Sequence, residues 1–286
     1  MTIRTVGVIG AGTIGRGVAQ SFAQAGYDVV LVDVSARQLD SATEQIARDL
    51  LVLLMLPGAA GRGGGEDPAR VLARIRTATT AAALADADFV VENVTEDWAV
   101  KRAVYEEIDG VCRPGVVFGV NTSAVPIARV ASATGRAPNV LGLHFMNPVP
   151  MLDTVEVVRG AATSQDTLDT ALALLGALGK TGIVVRDAPG FVTNRVLMPT
   201  INEAIFCVQD GVATAEQVDR MFRGCFGHPM GPLQTGDLIG LDTILNSITV
   251  LHDSYRDSKY RPAPLLVRMV EAGLLGRKTG RGFYTY

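Results

Sequence analysis

Residues 5–20 read TVGVIGAGTIGRGVAQ: an apolar β-branched run, three spaced glycines, then a helix-compatible stretch. No other feature constrains the fold of this chain as strongly. Gly10, Gly12 and Gly15 stand at G-x-G-x-x-G spacing. The first allows a tight turn, the second lets a pyrophosphate approach the backbone, and the third lets helix pack closely on strand. Thr13 and Ile14 complete the loop, and the helical run GRGVAQSFAQAG follows, its N-terminus facing the phosphates. A second apolar run, DVVLVD, ends at Asp33, about 20 residues on, where a carboxylate can accept hydrogen bonds from an adenosine ribose. An acid at that position repels a 2′-phosphate and so favours NAD over NADP, although Arg37 leaves NADP open. Nothing downstream suggests the second segment that a flavin dinucleotide would need.

The same alternation continues through ADFVVENV, GVVFGV, NVLGLHF, TVEVV and GIVVRD, with alanine-rich helical stretches between. That pattern predicts an α/β fold: a mostly parallel sheet with helices on both faces. After Asp187 it stops. Pro189 and Gly190 break the chain, and Asn194–Asp210, Thr214–Cys225, Leu238–Ser254 and Leu265–Ala272 read as helices. The boundary divides a first domain, residues 1–187, from an all-helical second domain, residues 188–286. LLVLLML, Leu50–Leu56, is too short to span a bilayer and is expected to be a core helix. PGAAGRGGGEDP, Pro57–Pro68, is expected to form a loop between two helices.

A net charge of -3 over 286 residues gives no electrostatic reason to expect a nucleic-acid or anionic-membrane partner. Cys112, Cys207 and Cys225 are odd in number and widely spaced, which suggests neither a disulfide frame nor a metal site. A reducing, cytoplasmic setting fits, and the strand-like start leaves no room for a secretory leader.

LGLHFMNPVPMLDTVEVV, residues 141–158, places one of three histidines at the end of an apolar run. Such a ring is often only a satisfied core residue. Here Asn147-Pro148-Val149-Pro150 forces a turn, so the next run can return and bring Glu156 beside His144. A buried carboxylate needs a partner. The pair would fix the ring tautomer and stabilise the imidazolium, as a general base for an alcohol proton requires. Ser123 in GVNTSAVP and Asn194 in APGFVTNRV stand at element boundaries and could hydrogen-bond the reacting oxygen. Either could instead cap a helix.

GAGTIG, VNTSAVPI, HFMNPVP, VEVV, PGFVTNRVL, MGPLQTGDLIGLD and GRKTGRGFY together resemble the L-3-hydroxyacyl-CoA dehydrogenase family, including bacterial 3-hydroxybutyryl-CoA dehydrogenases. The resemblance covers essentially the whole chain. It implies a Rossmann-like NAD-binding domain, a helical substrate and dimerisation domain that makes a homodimer, and an active site in the cleft between them. It puts the catalytic His and Glu on His144 and Glu156 and the substrate-binding Ser and Asn on Ser123 and Asn194. NAD contacts fall on the glycine loop, Asp33, Glu96, Lys101, Ser123, Asn147 and Lys278. Glu96 and Lys101 otherwise read as a solvated pair at an exposed helix start, and Lys278 as part of a surface loop.

Departures bear on the substrate. No lysine precedes Lys101, and the hairpin holds Arg62 among glycines, then Glu66 and Asp67; the lysine common shortly before the glutamate is absent near Asp153. A cation-poor site should hold the anionic coenzyme A less firmly. These changes resemble a branch acting on acyl carrier protein thioesters in methoxymalonyl extender-unit pathways. The expected activity is therefore NAD-dependent interconversion of a 3-hydroxyacyl and a 3-oxoacyl thioester, carried on coenzyme A or on acyl carrier protein. A dehydrogenase of a free hydroxy or sugar acid and a non-catalytic, crystallin-like NAD-binding protein are the alternatives.

Overall fold

The computed structural model describes residues 3–55 and 66–286; most of the glycine-dense run expected to be a loop, Arg62 included, lies outside them. The chain divides into two compact units, Met1–Asp187 and Ala188–Tyr286.

The first unit runs β1 (Thr5–Ile9), α1 (Thr13–Gln24), β2 (Asp28–Val32), α2 (Ala36–Leu54), α3 (Pro68–Leu72), β3 (Ile75–Ala78), β4 (Phe89–Glu92), α4 (Trp98–Val111), β5 (Val117–Val120), α5 (Ile127–Ala131), β6 (Val140–His144), β7 (Thr154–Arg159), α6 (Gln165–Ala177) and β8 (Thr181–Arg186). The strands form one sheet in the order β3-β2-β1-β4-β5-β6-β7-β8. Every pairing is parallel except β6 with β7. Strands β4, β5 and β6 are buried at every position. A strand hidden on both faces needs helices on both sides, which is why these runs are apolar throughout rather than alternating. Helix α1 supplies one cover: Val18, Ala19, Phe22 and Ala23 are fully buried, and Phe22 alone contributes on the order of 1.5–3 kcal/mol by its burial.

Three expectations need correction. Strand β3 was not foreseen: IRTA carries an arginine and is half exposed, because an edge strand has one partner, here β2. The apolar end of α2 is a core helix on one side only. Leu50 and Leu53 are buried, while Leu51, Val52, Leu54 and Met55 are 45–83% exposed, because a helix can turn only one stripe inward. The third correction lies in the second unit, which runs α7 (Thr193–Gln209), α8 (Ala215–Phe226), α9 (Pro232–Ile239), α10 (Leu241–Tyr255) and α11 (Pro264–Glu271). The single helix expected over Leu238–Ser254 is two, broken at Gly240, whose φ of 104° no ordinary helix residue adopts. The core of this unit gathers Met198, Ile201, Ile205, Leu233, Leu241, Ile244, Ile248 and Leu266. Among the described residues, no helix is long and apolar enough to cross a membrane.

Candidate active site

The glycine loop follows β1. Gly10 has φ 87°, and a Cβ there would lie 2.7 Å from the Asn93 carbonyl oxygen. A Cβ on Gly15 would lie 1.8 Å from the Gly10 oxygen, so the helix can sit on the turn only without one. Above Gly12 the space is open. Gly12 is the N-cap of α1, no side chain caps that end, and the first turn carries no acid; its amides are thus available to an anion. Asp33 shapes the loop from the end of β2: Oδ2 accepts from the Ala11 N–H at 2.9 Å and Oδ1 from the Ser35 N–H at 2.9 Å. Each carboxylate oxygen keeps a lone pair for a hydroxyl donor. Open space over Gly12, an uncapped helix end and an acid beside them fit a dinucleotide.

His144 ends β6, and β7 returns antiparallel with Glu156 directly opposite it. Residues opposite one another share a face of the sheet, so the two side chains meet: His144 Nδ1 lies 2.9 Å from Glu156 Oε2. They are 3% and 6% exposed. A carboxylate only accepts, so Nδ1 carries the proton and Nε2 offers its lone pair. Ser123 Oγ stands 2.8 Å from that nitrogen. The serine therefore does not cap the following helix; α5 has Pro126 as N-cap and no side-chain cap.

Serine, histidine and carboxylate in this order also serve acyl transfer, where free backbone N–H groups stabilise the oxyanion. Here the Ala124 and Val125 N–H groups both point to Glu96 Oε1 (3.1 and 3.2 Å) and Thr122 Oγ1 (3.2 and 2.8 Å). With those two donors occupied, the arrangement favours a proton acceptor over a serine nucleophile.

Glu96 and Lys101 are not the solvated pair of an exposed helix start. Helix α4 starts after Asp97, which caps Val100 N–H at 3.0 Å, and Lys101 is fully buried. Its ammonium lies 2.9 and 3.1 Å from the Glu92 carboxylate and 3.1 Å from the Asn121 carbonyl, with Val94 O at 3.4 Å. Glu96 is exposed and also accepts the Thr122 hydroxyl. Burial pushes the Glu92 carboxyl up, opposed by Lys101 and by the Val94 N–H. Glu92, Asn93, Asn121 and Thr122 were not singled out from the sequence. Each is a polar residue at or just past the carboxyl end of a parallel strand, the edge where such sheets bind ligands, and that position was the available signal.

Asn147 is exposed in the turn between β6 and β7. In the second unit, Asn194 is 8% exposed in the first turn of α7, whose N-cap is Val192, so it is not the cap. Lys278 reaches Asp242, with Nζ 2.5 Å from each carboxylate oxygen. The structure thus joins Ser123, His144 and Glu156 in one chain and the glycine loop to Asp33, and carries Asn194 and Lys278 on the second unit.

Residues 5–188 match the family model described as "3-hydroxyacyl-CoA dehydrogenase, NAD binding domain", and residues 190–286 match "3-hydroxyacyl-CoA dehydrogenase, C-terminal domain". Among similar proteins is the 3-hydroxybutyryl-CoA dehydrogenase of Bradyrhizobium diazoefficiens, 45% identical over 284 residues that cover 99% of this chain and 96% of the relative. The mitochondrial hydroxyacyl-coenzyme A dehydrogenase of Homo sapiens is 36% identical over 99% of this chain and 91% of its own. The crystal structure of (S)-3-hydroxybutyryl-CoA dehydrogenase PaaH1 from Ralstonia eutropha aligns with a TM-score of 0.92 at 43% identity, covering 100% of this chain and 99% of that one. Both units match in order and the relatives align nearly end to end, so the chain belongs to the 3-hydroxyacyl-CoA dehydrogenase family, and its first unit is that family's NAD-binding domain.

Proposed function

We propose that this protein oxidises the 3-hydroxyl of a short 3-hydroxyacyl thioester to the 3-oxo group, and reduces it in reverse, with His144 as the general base. The observation that carries the reading is the chain from half-buried Ser123 Oγ to His144 Nε2 and from His144 Nδ1 to buried Glu156. When bound, NAD supplies the acceptor for the hydride leaving the carbinol carbon. The glycine loop and the α1 amides would hold its diphosphate, and Asp33 its adenosine ribose. Glu96, Lys101, Asn147 and Lys278 take cofactor contacts on the resemblance alone, and Lys101 also bonds the Asn121 carbonyl, two residues before Ser123.

On substrate binding the Ser123 hydroxyl would turn from Nε2 to donate to the substrate oxygen, holding it within reach of the ring, and the freed Nε2 lone pair takes the hydroxyl proton. Glu156 stabilises the imidazolium that forms and keeps Nε2, not Nδ1, toward the substrate. Asn194 is assigned the thioester region by the resemblance, as is a homodimer through the second unit.

The handle is proposed to be coenzyme A, as in the names of the relatives. Acyl carrier protein is the second reading, favoured by one observation: Arg74 is held by Glu66 at 2.6 and 2.7 Å, so that guanidinium is engaged by an acid of the same segment rather than open to a phosphate. His144→Gln tests the chemistry. Nicotinamide absorbance with 3-hydroxybutyryl-CoA should show turnover reduced about a thousandfold or more, with NAD affinity kept; a variant near the wild-type rate refutes the general base. Running the carrier-protein thioester and the free acid beside the coenzyme A ester identifies the handle by its kcat/KM.

A further inference from the structure

Two asparagines that the mechanism does not use lie between the cofactor loop and the catalytic histidine. Asn121 follows β5, two residues before Ser123. Its Oδ1 accepts from the Phe145 N–H at 3.1 Å, immediately after His144, and its Nδ2 donates to Asn93 Oδ1 at 2.9 Å. Asn93 Nδ2 in turn donates to Val91 O at 3.2 Å and Ile9 O at 3.4 Å. The orientation of both amides is forced. A backbone N–H only donates, so the Asn121 carbonyl must face Phe145 and its NH₂ must face Asn93; the Asn93 carbonyl must then face Asn121.

Asn93 is also the floor of the glycine loop. Its backbone oxygen sits 2.7 Å from the place of a Cβ on Gly10, and its own Cβ sits 3.3 Å from one on Gly15. The main chain of Asn121 is fixed as well: its N–H donates to Glu92 O at 2.9 Å and its carbonyl accepts from Lys101 at 3.1 Å. The buried Lys101, paired with the Glu92 carboxylate, thus holds this residue as well as Val94.

We propose that Asn93 and Asn121 are positioning residues that form a serial amide chain across the ends of β1, β4, β5 and β6, setting the catalytic histidine by reference to the glycine loop. The inference rests on His144 being the general base, and its test includes a reading that needs no turnover.

Asn121→Ala and Asn93→Ala should each lower kcat by about 10- to 100-fold, the order expected for a misplacement of about 1 Å, with KM for the thioester within about threefold. A chain broken once is broken, so the double variant should be no slower than Asn121→Ala. Asn121→Asp, which keeps the volume but loses the donor, should match Asn121→Ala and serves if an alanine variant does not fold.

The chain has only three histidines, so ¹⁵N imidazole spectra can follow each ring. In both Asn93→Ala and Asn121→Ala the His144 signals should shift while those of His228 and His252 stay. Asn93→Ala decides, since the bonds of that side chain run to Asn121, Val91 and Ile9 and reach the ring only through the proposed chain. An unmoved His144 signal in that variant, losses that multiply in the double variant, or a wild-type rate in Asn121→Asp overturns the proposal. Should the wild-type protein turn over no thioester, the proposed function fails and the spectra still judge the chain.

Discussion

Replacing Glu156 by Gln removes one charge from a buried pair. The side chains have the same volume, and the amide oxygen can still accept the proton on His144 Nδ1, 2.9 Å away. What disappears is the anion that stabilises the ring when it becomes an imidazolium. At an effective dielectric of about 20, unit charges about 4 Å apart attract by about 4 kcal/mol. At about 1.4 kcal/mol per decade this corresponds to a loss of about a thousandfold in kcat. The two partners are 3% and 6% exposed, so water cannot replace the lost charge. The loss belongs to the transition state, because a neutral ring gains much less from the carboxylate than an imidazolium does. KM for NAD should therefore stay within about threefold. The assay is steady-state nicotinamide absorbance with 3-hydroxybutyryl-CoA at neutral pH and saturating NAD, beside calorimetric NAD binding. The Glu156→Gln, His144→Gln double variant should be no slower than His144→Gln alone, since the charge of Glu156 assists the rate through the imidazolium. A Glu156→Gln enzyme within tenfold of the wild-type rate would mean that no imidazolium forms against this carboxylate, and the electrostatic reasoning would be wrong.

Two glycines of one loop should respond differently. Gly15→Ala forces a Cβ to 1.8 Å from a backbone oxygen and should lower the thermal midpoint, whereas Gly12→Ala meets nothing within 4 Å and should fold normally yet bind NAD at least tenfold more weakly in calorimetry. Asp237→Asn tests the C-terminal tail. Its carboxylate accepts from the Phe283 and Tyr284 N–H groups, both at 3.0 Å, and from the Tyr286 hydroxyl at 3.1 Å. An amide nitrogen in either orientation leaves a donor facing a donor, so stability should fall by about 1–3 kcal/mol in denaturant titration. Burial pushes the Cys112 thiol up to about 11. A group whose folded value lies above its unfolded one stabilises fully below the unfolded value, near 9, and loses that contribution as pH rises through the folded one. Cys112→Ala should therefore flatten the decline in stability between about pH 9 and 11, and at pH 8 a thiol reagent should label exposed Cys225 before buried Cys112.

The strands that carry the site were legible because burial on both faces leaves one solution, a continuous apolar run, as in VGVI or VLGL. Strand β3 was not, since an edge position tolerates Arg76 and Thr77. The turn at Gly240 escaped because LIGLD keeps its apolar spacing across the break, and a glycine at φ 104° and one inside a helix look alike in sequence. The pairing of His144 with Glu156 could be read from two runs and a proline turn, as a short connection fixes which residues meet. Glu92 and Lys101 could not. Nine residues apart across a strand end and a helix start, they have the composition of a solvated surface, and only the packing of α4 turns the lysine inward to Asn121. The amides of Asn93 and Asn121 are more hidden still, because their bond depends on β4 and β5 being neighbours, which no local pattern encodes.

The one antiparallel pairing in the sheet determines what the site can be. In a parallel sheet each strand delivers its last residues to the ligand-binding edge, and the next strand returns from the far side by a crossover. Strand β7 instead begins at that edge, so a residue near its start can face one near the end of β6. A parallel neighbour could bring Glu156 to His144 only after a crossover of a dozen or more residues, whereas here the nine residues 145–153 join the end of β6 to the start of β7. Register then becomes the critical variable, since a slip of one residue would move Glu156 to the other face. Gly142, opposite Val158, guards against it. A Cβ there would lie 2.7 Å from that valine and 2.9 Å from Ile127 of α5, so this position of the ladder takes only a residue without a side chain. The fit of the acid to the base therefore depends also on a residue two positions before the histidine.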